Sequence, residues 1–180
     1  MRILVAAASK HGATAEIGAA VGHALARHGH GVDLLPPAEV KRIEPYDAVI
    51  LGSGVYAGHW LADAKELVER FADELRQRHV WLFSSGPLGD PPAPAGEPVD
   101  LTKVAEQLAP RGQMVFAGRL DRESLGFGER AIVALVKAPY GDFRDWQAIE
   151  QWAESIHAAL VAEEQPVGQE QPIPQPALTA

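Results

Sequence analysis

Short apolar segments alternate with amphipathic ones along the chain. Five of them are brief, apolar and bounded by turn residues, as buried strands are: residues 2–8, 32–35, 48–52, 80–85 and 114–118. Strands of a parallel sheet are apolar throughout, because the helices that connect them cover both faces. The pattern therefore predicts an α/β fold with a doubly wound, five-stranded parallel sheet and helices on both faces.

Apolar residues recur at helical spacing between these strands. The clearest stripes of this kind lie in residues 14–28, 61–75 and 149–160. Residues 101–109 are a further helical candidate, whereas residues 41–45 are too short and broken for more than a turn or two. The helices thus alternate with the strands, as crossover connections do.

Length and composition predict one domain with a flexible end. The 180 residues are 47% hydrophobic and 22% charged, which suits one packed core. Five of the 14 prolines fall in residues 86–98, which we predict to be an irregular loop. Residues 163–180 are rich in Gln, Glu and Pro and are predicted to be a disordered tail, leaving residues 1–162 as the domain.

Charge and cysteine content exclude several classes of function. The net charge of −8 argues against binding to nucleic acid, whose phosphates repel an acidic protein. The chain has no cysteine, so a redox role needs a bound cofactor, and the seven histidines show no metal-binding spacing. No apolar run approaches the roughly 18 residues of a transmembrane helix, so we expect a cytoplasmic protein.

The loop after the first strand is suited to binding a phosphate. It leads directly into a helix, where free backbone N–H groups and the helix dipole favour an anion. Two hydroxyl side chains and a glycine lie within it; in order, its residues are Ser9, Lys10, His11, Gly12, Ala13 and Thr14. The alternative is that Ser9 or Thr14 merely caps the helix. No dinucleotide or triphosphate fingerprint is present, which leaves a monophosphate as the candidate ligand.

The loops after the third and fourth strands are suited to a flat ligand, since ligands bind at the carboxyl ends of parallel strands. The first contains three glycines and two large aromatics, and we select Ser53, Gly54, Val55, Tyr56, Ala57 and Gly58 from it. Tyr56 or Trp60 is a candidate to lie against a ring, although Trp60 is equally suited to packing on the next helix. The second loop offers Ser85, Gly86 and Pro87 for hydrogen bonds to a heteroaromatic edge.

These loops resemble those of the flavodoxin family, whose phosphate loop has the form [ST]-x-T-G-x-T, against Ser9 to Thr14 here. Within that family the chain is most similar to the menaquinone-dependent protoporphyrinogen oxidases. Residues 52–60, 116–120 and 129–152 carry this similarity, the last including an acidic-Trp start to the final helix at Asp145-Trp146. The resemblance covers about residues 2–160.

The resemblance implies a sheet in the order 2-1-3-4-5 with FMN at its edge. Carried over by position, Ser9, Lys10, Gly12 and Thr14 hold the phosphate. Val55, Tyr56 and Gly58 border the isoalloxazine, with Ser85 and Gly86 on its far side. His11 and Ala13 depart from the family pattern and remove two side-chain donors to the phosphate, so weaker FMN binding is expected.

An insert at residues 120–143 separates the fifth strand from the last helix. Residues 127–138 are strongly apolar, and Arg130 and Lys137 lie on one helical face. In the resembling oxidases such an insert lies near the substrate, which implies peripheral membrane contact close to the quinone. The alternatives are a homodimer interface and a helix folded onto the domain.

Three functions follow as hypotheses. The first is an FMN-dependent oxidoreductase that passes electrons from a reduced tetrapyrrole to a quinone, where the resemblance alone supplies this substrate. His59 is a candidate proton donor in it, although a lone loop histidine is more often structural or solvated. The second is an electron-carrier flavodoxin whose acidic surface attracts a redox partner protein. The third is a domain that has lost FMN.

Overall fold

The computed structural model describes residues 1–86, 88 and 98–164. In chain order these form β1 (Arg2–Ala8), α1 (Ala13–Arg27), β2 (Gly31–Leu35), a 3-10 turn (Pro37–Glu39), β3 (Ala48–Tyr56), β4 (His59–Trp60), α2 (Ala62–Arg70), α3 (Ala72–Arg76), β5 (His79–Ser85), α4 (Val99–Leu108), β6 (Gly112–Phe116), β7 (Arg119–Leu120), α5 (Phe127–Val136), β8 (Gly141–Asp142) and α6 (Trp146–Glu164). Within these ranges no helix has both the length and the apolar character needed to cross a membrane.

The main sheet has the predicted topology. Its parallel strands lie in the order β2-β1-β3-β5-β6, and the short β4 adds to β3 in the antiparallel direction. Apart from β4, which the sequence did not predict, this is the expected order 2-1-3-4-5. The α/β prediction with a doubly wound parallel sheet is confirmed.

Helices cover both faces of the sheet, and alternate residues of each strand point to opposite sides. Ile3 and Val5 of β1 pack in a core formed with α1 and α6. Leu4 and Ala6 of the same strand pack in a second core with α2, α3 and α4. Both sides of the strand are thus buried, which explains why its sequence is apolar without alternation.

Some element boundaries differ from the prediction. The strand predicted over residues 48–52 continues to Tyr56, because β4 folds back on it through a tight turn at Ala57 and Gly58, where φ is 51° and 83°. The predicted helix over residues 61–75 is two helices separated at Phe71, whose φ is −125°. The last helix continues through Glu164, two residues past the predicted end of the domain.

Two predicted irregular segments fall mainly on residues that the structure does not describe. These are most of the loop at 86–98 and residues 165–180 of the tail. The predictions for them stay untested.

The two ends of the insert lie side by side at the edge of the sheet. β7 and β8 pair in the antiparallel direction, and the Phe143 N–H donates to the Gly118 carbonyl at 3.1 Å. Between them, α5 lies outside the two helical layers. None of the α5 side chains that the structure describes is buried.

Candidate functional site

The carboxyl ends of three parallel strands and the start of the insert enclose a narrow cleft of about 80 Å³. Its lining comes from loops that are distant in sequence: Ser9, His11, Ala13, Thr14, Gly54, Val55, Tyr56, Ser85, Gly86, Leu88, Gly118, Arg119 and Leu120. The strand order brings β1, β3 and β5 side by side, so their following loops converge. This is the position at which ligands bind in open α/β sheets.

The loop after β1 has the backbone of an anion site. Gly12 immediately precedes α1 with a φ of 85°, a left-handed conformation that a side chain would strain. Its carbonyl accepts the first helical hydrogen bond, from the Glu16 N–H at 2.9 Å. Thr14, which lines the cleft in the first turn of α1, is 5% exposed. The helix therefore begins at the floor of the cleft, where its positive end faces the space.

The cleft depends on glycine at two positions, because the atoms around them leave no room for a side chain. A Cβ atom added at Gly54 would lie 3.0 Å from the Thr14 hydroxyl and 3.2 Å from the Tyr56 ring. A Cβ at Gly86 would lie 2.9 Å from that of Val55. The glycines thus leave a shallow cradle between the loop after β1 and the hairpin of β3 and β4.

Tyr56 forms one side of the opening. It is the last residue of β3 and is held there by the β3–β4 hairpin, with 39% of its surface exposed. Burial, followed by the charge of Glu129, raises the pKa of Tyr56 above its usual range. Its phenol is therefore neutral at physiological pH and offers a flat face beside the cleft.

A larger chamber of about 650 Å³ adjoins the cleft and shares seven lining residues with it. One wall is the end of β3 with its turn, from Val55 to Ala57, and the opposite wall is the insert, including Leu125, Val133 and Pro139. The volume lies within the range of about 300–1,000 Å³ that is usual for small-molecule sites. The insert helix therefore converts an open sheet edge into an enclosed space.

An acidic residue of α5 contacts the loop after β1. One oxygen of Glu129, Oε1, lies 2.7 Å from Lys10 Nζ and 3.0 Å from His11 Nε2. The other, Oε2, accepts the Gly126 N–H at 2.8 Å and so caps α5. Lys10, the Gly126 N–H and His11 together lower the pKa of Glu129 to about 2. The carboxylate is therefore charged throughout the physiological range.

A buried arginine fixes the base of the insert to α1. The Arg144 side chain is 2% exposed and lies 2.6 Å from Asp142 Oδ2 and 2.8 Å from Glu16 Oε2. It also donates to the Ala13 carbonyl at 3.2 Å. Arg119 contacts the same Glu16 at 3.0 Å. Hydrogen bonds from Arg144 are the largest cause of the lowered pKa of both Asp142 and Glu16.

The structure brings most of the predicted site residues together. Eleven of them line the cleft or the chamber: Ser9, Lys10, His11, Ala13, Thr14, Gly54, Val55, Tyr56, Ala57, Ser85 and Gly86. Pro87 lies outside the described residues. Gly12 and Gly58 shape turns beside the cavities without lining them.

Three residues of the segment that was predicted as the loop after the third strand lie in β3 and β4 and have structural contacts instead. The Ser53 hydroxyl is fully buried, donates to the Gly54 carbonyl and accepts the Leu61 N–H, each at 2.9 Å. Trp60 is buried in the core and donates through Nε1 to the Ser84 hydroxyl at 2.8 Å, which favours the packing alternative. Gly52 accommodates the Phe83 ring, which would lie 2.0 Å from an added Cβ.

His59, the candidate proton donor, faces away from both cavities. Its Nδ1 lies 3.1 Å from Asp100 Oδ2, at the start of α4. The same carboxylate accepts the Trp60 N–H at 2.8 Å, and His59 lines neither the cleft nor the chamber. A catalytic role for His59 stays a prediction that this geometry does not favour.

Several lining residues were not selected from the sequence. Gly118, Arg119 and Leu120 line the cleft, and Glu129 and Val133 line the chamber. Glu129 carried one local signal, since it stands three residues after the Gly126 that precedes α5, the spacing of a capping box. Nothing local indicated its partners, because Lys10 and His11 lie more than 110 residues away.

A parallel α/β sheet with helices on both faces and a cleft at its carboxyl edge defines the class of doubly wound α/β domains. The family model described as "Flavodoxin domain" matches residues 4–146. The chain belongs to this family. A search of curated protein sequences gives no match.

Solved structures share the fold at low sequence identity. A flavodoxin from Streptococcus pneumoniae is 18% identical, with a TM-score of 0.60, and the match covers 88% of this chain and 99% of that one. A flavodoxin mutant from Pseudomonas aeruginosa is 15% identical, with a TM-score of 0.60 and coverage of 89% and 99%. The rubredoxin:oxygen oxidoreductase of Desulfovibrio gigas is 13% identical, with a TM-score of 0.62 and coverage of 92% and 37%.

Proposed function

We propose that this protein binds FMN at the carboxyl edge of the sheet and transfers electrons through it. The observation that carries the proposal is the convergence of the loop at residues 9–14 and the Tyr56 hairpin on one cleft, in a chain of the flavodoxin-domain family. The cleft suits the group, because Gly12 and Thr14 lie at a helix start and Gly54 leaves the cradle unfilled.

The chain's own residues have distinct tasks in this proposal. Ser9, Lys10, Gly12 and Thr14 hold the phosphate by hydroxyl, ammonium and backbone donors. Val55 and Tyr56 border the flavin ring, with Gly86 across the cleft. FMN supplies the one- and two-electron chemistry when bound, and the protein orients it and controls its access to solvent.

A titration tests the binding step. Purified protein is titrated with FMN while the quenching of flavin fluorescence is followed, and saturation at micromolar concentrations is expected. Thr14→Val removes a hydroxyl from the cleft and weakens binding by about 10- to 100-fold, the value of one hydrogen bond to a charged group. Thr102→Val, on the distant helix α4, is the control and leaves the affinity unchanged. No saturation at millimolar FMN would overturn the proposal.

The role best supported is that of a flavodoxin-type electron carrier. The two flavodoxins named above are covered over 99% of their length, so the fold similarity extends over the whole of such carriers. The net charge of −8 also suits a carrier, since an acidic surface attracts basic redox proteins and accelerates their encounter. The partner in this proposal is a redox protein with a basic surface.

The chamber favours a second role, oxidoreduction of a small molecule. A carrier needs no enclosed space beside its flavin, whereas a substrate does. Apolar side chains of β3 and the insert line much of the chamber, and charged side chains such as Lys10, Arg119 and Glu129 lie at its wall, which suits a flat, largely apolar substrate with polar groups at its edge, such as a quinone. Oxidation of a reduced tetrapyrrole with menaquinone as acceptor is one specific form of this role, and its support is the resemblance described above.

One pair of variants distinguishes the two roles. Val133→Trp fills the chamber, and Leu135→Trp places the same ring on the outer surface of α5, where Leu135 is 82% exposed. For an oxidoreductase, Val133→Trp abolishes reduction of a soluble naphthoquinone and leaves reduction of cytochrome c intact, whereas Leu135→Trp changes neither. Equal rates of quinone reduction in both variants would contradict the oxidoreductase role and support the carrier role.

The outer surface of α5 carries the remaining proposals about partners. Phe127 is 91% exposed and lies on the same helix as the exposed Leu135. Such a surface suits contact with a membrane or with a second copy of the chain. Both are proposals, as is a cytoplasmic location.

A further inference from the structure

Glu129 supplies an anion to both basic side chains of the loop at residues 9–14. Lys10 Nζ lies 2.7 Å and His11 Nε2 lies 3.0 Å from the same oxygen, Oε1. We call these two contacts the Glu129 latch. Lys10 and His11 are the only basic residues between Ser9 and Thr14 in the sequence. The latch therefore engages every basic side chain of this loop.

The two side chains are directed towards the insert. The Lys10 ammonium lies 5.5 Å from the centroid of the Tyr56 ring, and the His11 ring centroid lies 6.2 Å from it. Both residues line the chamber beside Glu129. The Glu129 carboxylate of α5 thus already lies where the loop meets the chamber.

We propose that Glu129 competes with the phosphate of FMN for Lys10 and His11, so that flavin binding releases α5 from the loop. This inference rests on the proposed function. The phosphate of FMN carries up to two negative charges. A carboxylate that already contacts Lys10 and His11 therefore repels a phosphate that approaches the same two side chains. Glu129 therefore reduces the preference of the site for FMN over riboflavin, which lacks the phosphate.

The construction of the insert permits such a release. Its base is fixed by the β7–β8 pairing and by the buried Arg144. The helix itself has no buried side chain among those that the structure describes, and Lys137 ends it in a left-handed conformation with a φ of 53°. Loss of the Glu129 latch therefore costs α5 little apolar burial, and the base need not move.

Glu129→Gln tests the competition. Glutamine keeps an oxygen for the Gly126 N–H but removes the charge that Lys10 and His11 share. Glu123→Gln is the matched control, because Glu123 is an exposed acid of the same insert. At low ionic strength Glu129→Gln is expected to tighten FMN binding by about 2- to 5-fold, because a partly exposed ion pair contributes only that much to an equilibrium. Riboflavin binding is expected to stay unchanged.

The opposite result overturns the inference. Weaker or equal FMN binding in Glu129→Gln would mean that the carboxylate supports the flavin site instead of competing with its ligand. An equal gain for riboflavin, or an equal gain in Glu123→Gln, would mean that the charge acts at long range only.

Amide hydrogen exchange over residues 127–136 gives a second readout that needs no flavin. In flavin-free protein, Glu129→Gln is expected to exchange faster than wild type in α5, with the β7–β8 base unchanged. Saturating FMN is expected to accelerate exchange of α5 in wild type. Unchanged exchange in the flavin-free variant, or slower exchange of α5 with FMN, would refute the inference. If FMN fails to bind at all, the proposed function fails, whereas the flavin-free comparison still tests the Glu129 latch.

Discussion

The sheet and the insert are built from similarly apolar segments, yet they bury them very differently. In β1 the residues from Ile3 to Ala6 are buried on both faces of the sheet. In α5, an apolar run of similar character, Phe127 and Leu135 are 91% and 82% exposed. The sheet is held by apolar packing, whereas the insert is held by hydrogen bonds and ion pairs at its base and at Glu129. Apolar composition therefore indicates what a segment can bury, and neighbouring elements decide whether it does.

The largest expected change in stability comes from truncating a phenylalanine of the sheet, compared with truncating a phenylalanine of the insert. Phe83 is fully buried and packs edge-on to Phe116 and Trp152, with ring centroids 6.1 and 5.9 Å away. Phe83→Ala is expected to lower the free energy of unfolding by about 3–5 kcal/mol. Phe127→Ala is expected to change it by less than about 0.5 kcal/mol. Urea titration measures both, and similar losses would mean that α5 is packed against something in solution.

The next effect comes from adding one methyl group to the sheet. A Cβ at Gly52 would lie 2.0 Å from the Phe83 ring, which its aromatic neighbours hold in place. Gly52→Ala is expected to cost about 1–3 kcal/mol or more through overpacking. Gly31→Ala, where an added Cβ meets nothing within 4 Å, is the control in β2, on the far side of β1. Thermal unfolding compares the two, and a neutral Gly52→Ala would show that Phe83 has room to move.

Removing the charge at the base of the insert has an intermediate effect. Arg144→Met is expected to cost about 1–3 kcal/mol, because it leaves Asp142, Glu16 and the Ala13 carbonyl without a buried donor. Arg122→Met, at an exposed position of the insert, is the control.

The same variant predicts a change in acid dependence. Arg144 lowers the pKa of Asp142 and Glu16 in the folded state. Their stabilisation is therefore complete above the unfolded pKa values and is lost as the pH falls through the folded ones. Wild type loses more stability than Arg144→Met between about pH 5 and pH 2. Parallel curves from denaturant titrations across this range would contradict the assigned cause.

The smallest expected effect comes from a substitution that stabilises α5 and leaves the sheet unchanged. Gly128 lies in the first turn of α5, and an added Cβ meets nothing within 4 Å. Gly128→Ala is expected to favour the helix by about 0.5–1 kcal/mol. Because α5 is only lightly attached to the domain, the gain should appear as slower amide exchange in residues 127–136, with little change in global stability. Faster exchange would show that Gly128 has a conformational role.

Much of the site was predictable because its parts are local. The loop at residues 9–14 was predicted as a candidate phosphate site from a glycine before a helix, and the structure places Gly12 in a left-handed conformation at the start of α1. The hairpin at Tyr56 was predicted only as a glycine-rich loop suited to a flat ligand. Its turn at Ala57 and Gly58 depends on pairing with β4, which two residues could not indicate by periodicity.

The sequence alone determined the order of strands and helices along the chain, because apolar periodicity and turn residues act over a few neighbouring positions. The order of the strands within the sheet was implied by the resemblance to the flavodoxin family, and with it the edge at which the candidate site lies. Only the tertiary structure decided which side chains meet across that edge. Glu129 contacts Lys10 and His11 from more than 110 residues away, and His59 turns to Asp100 instead of the cleft. These pairings depend on where the chain folds back, and no local pattern specifies the partner of a single charge.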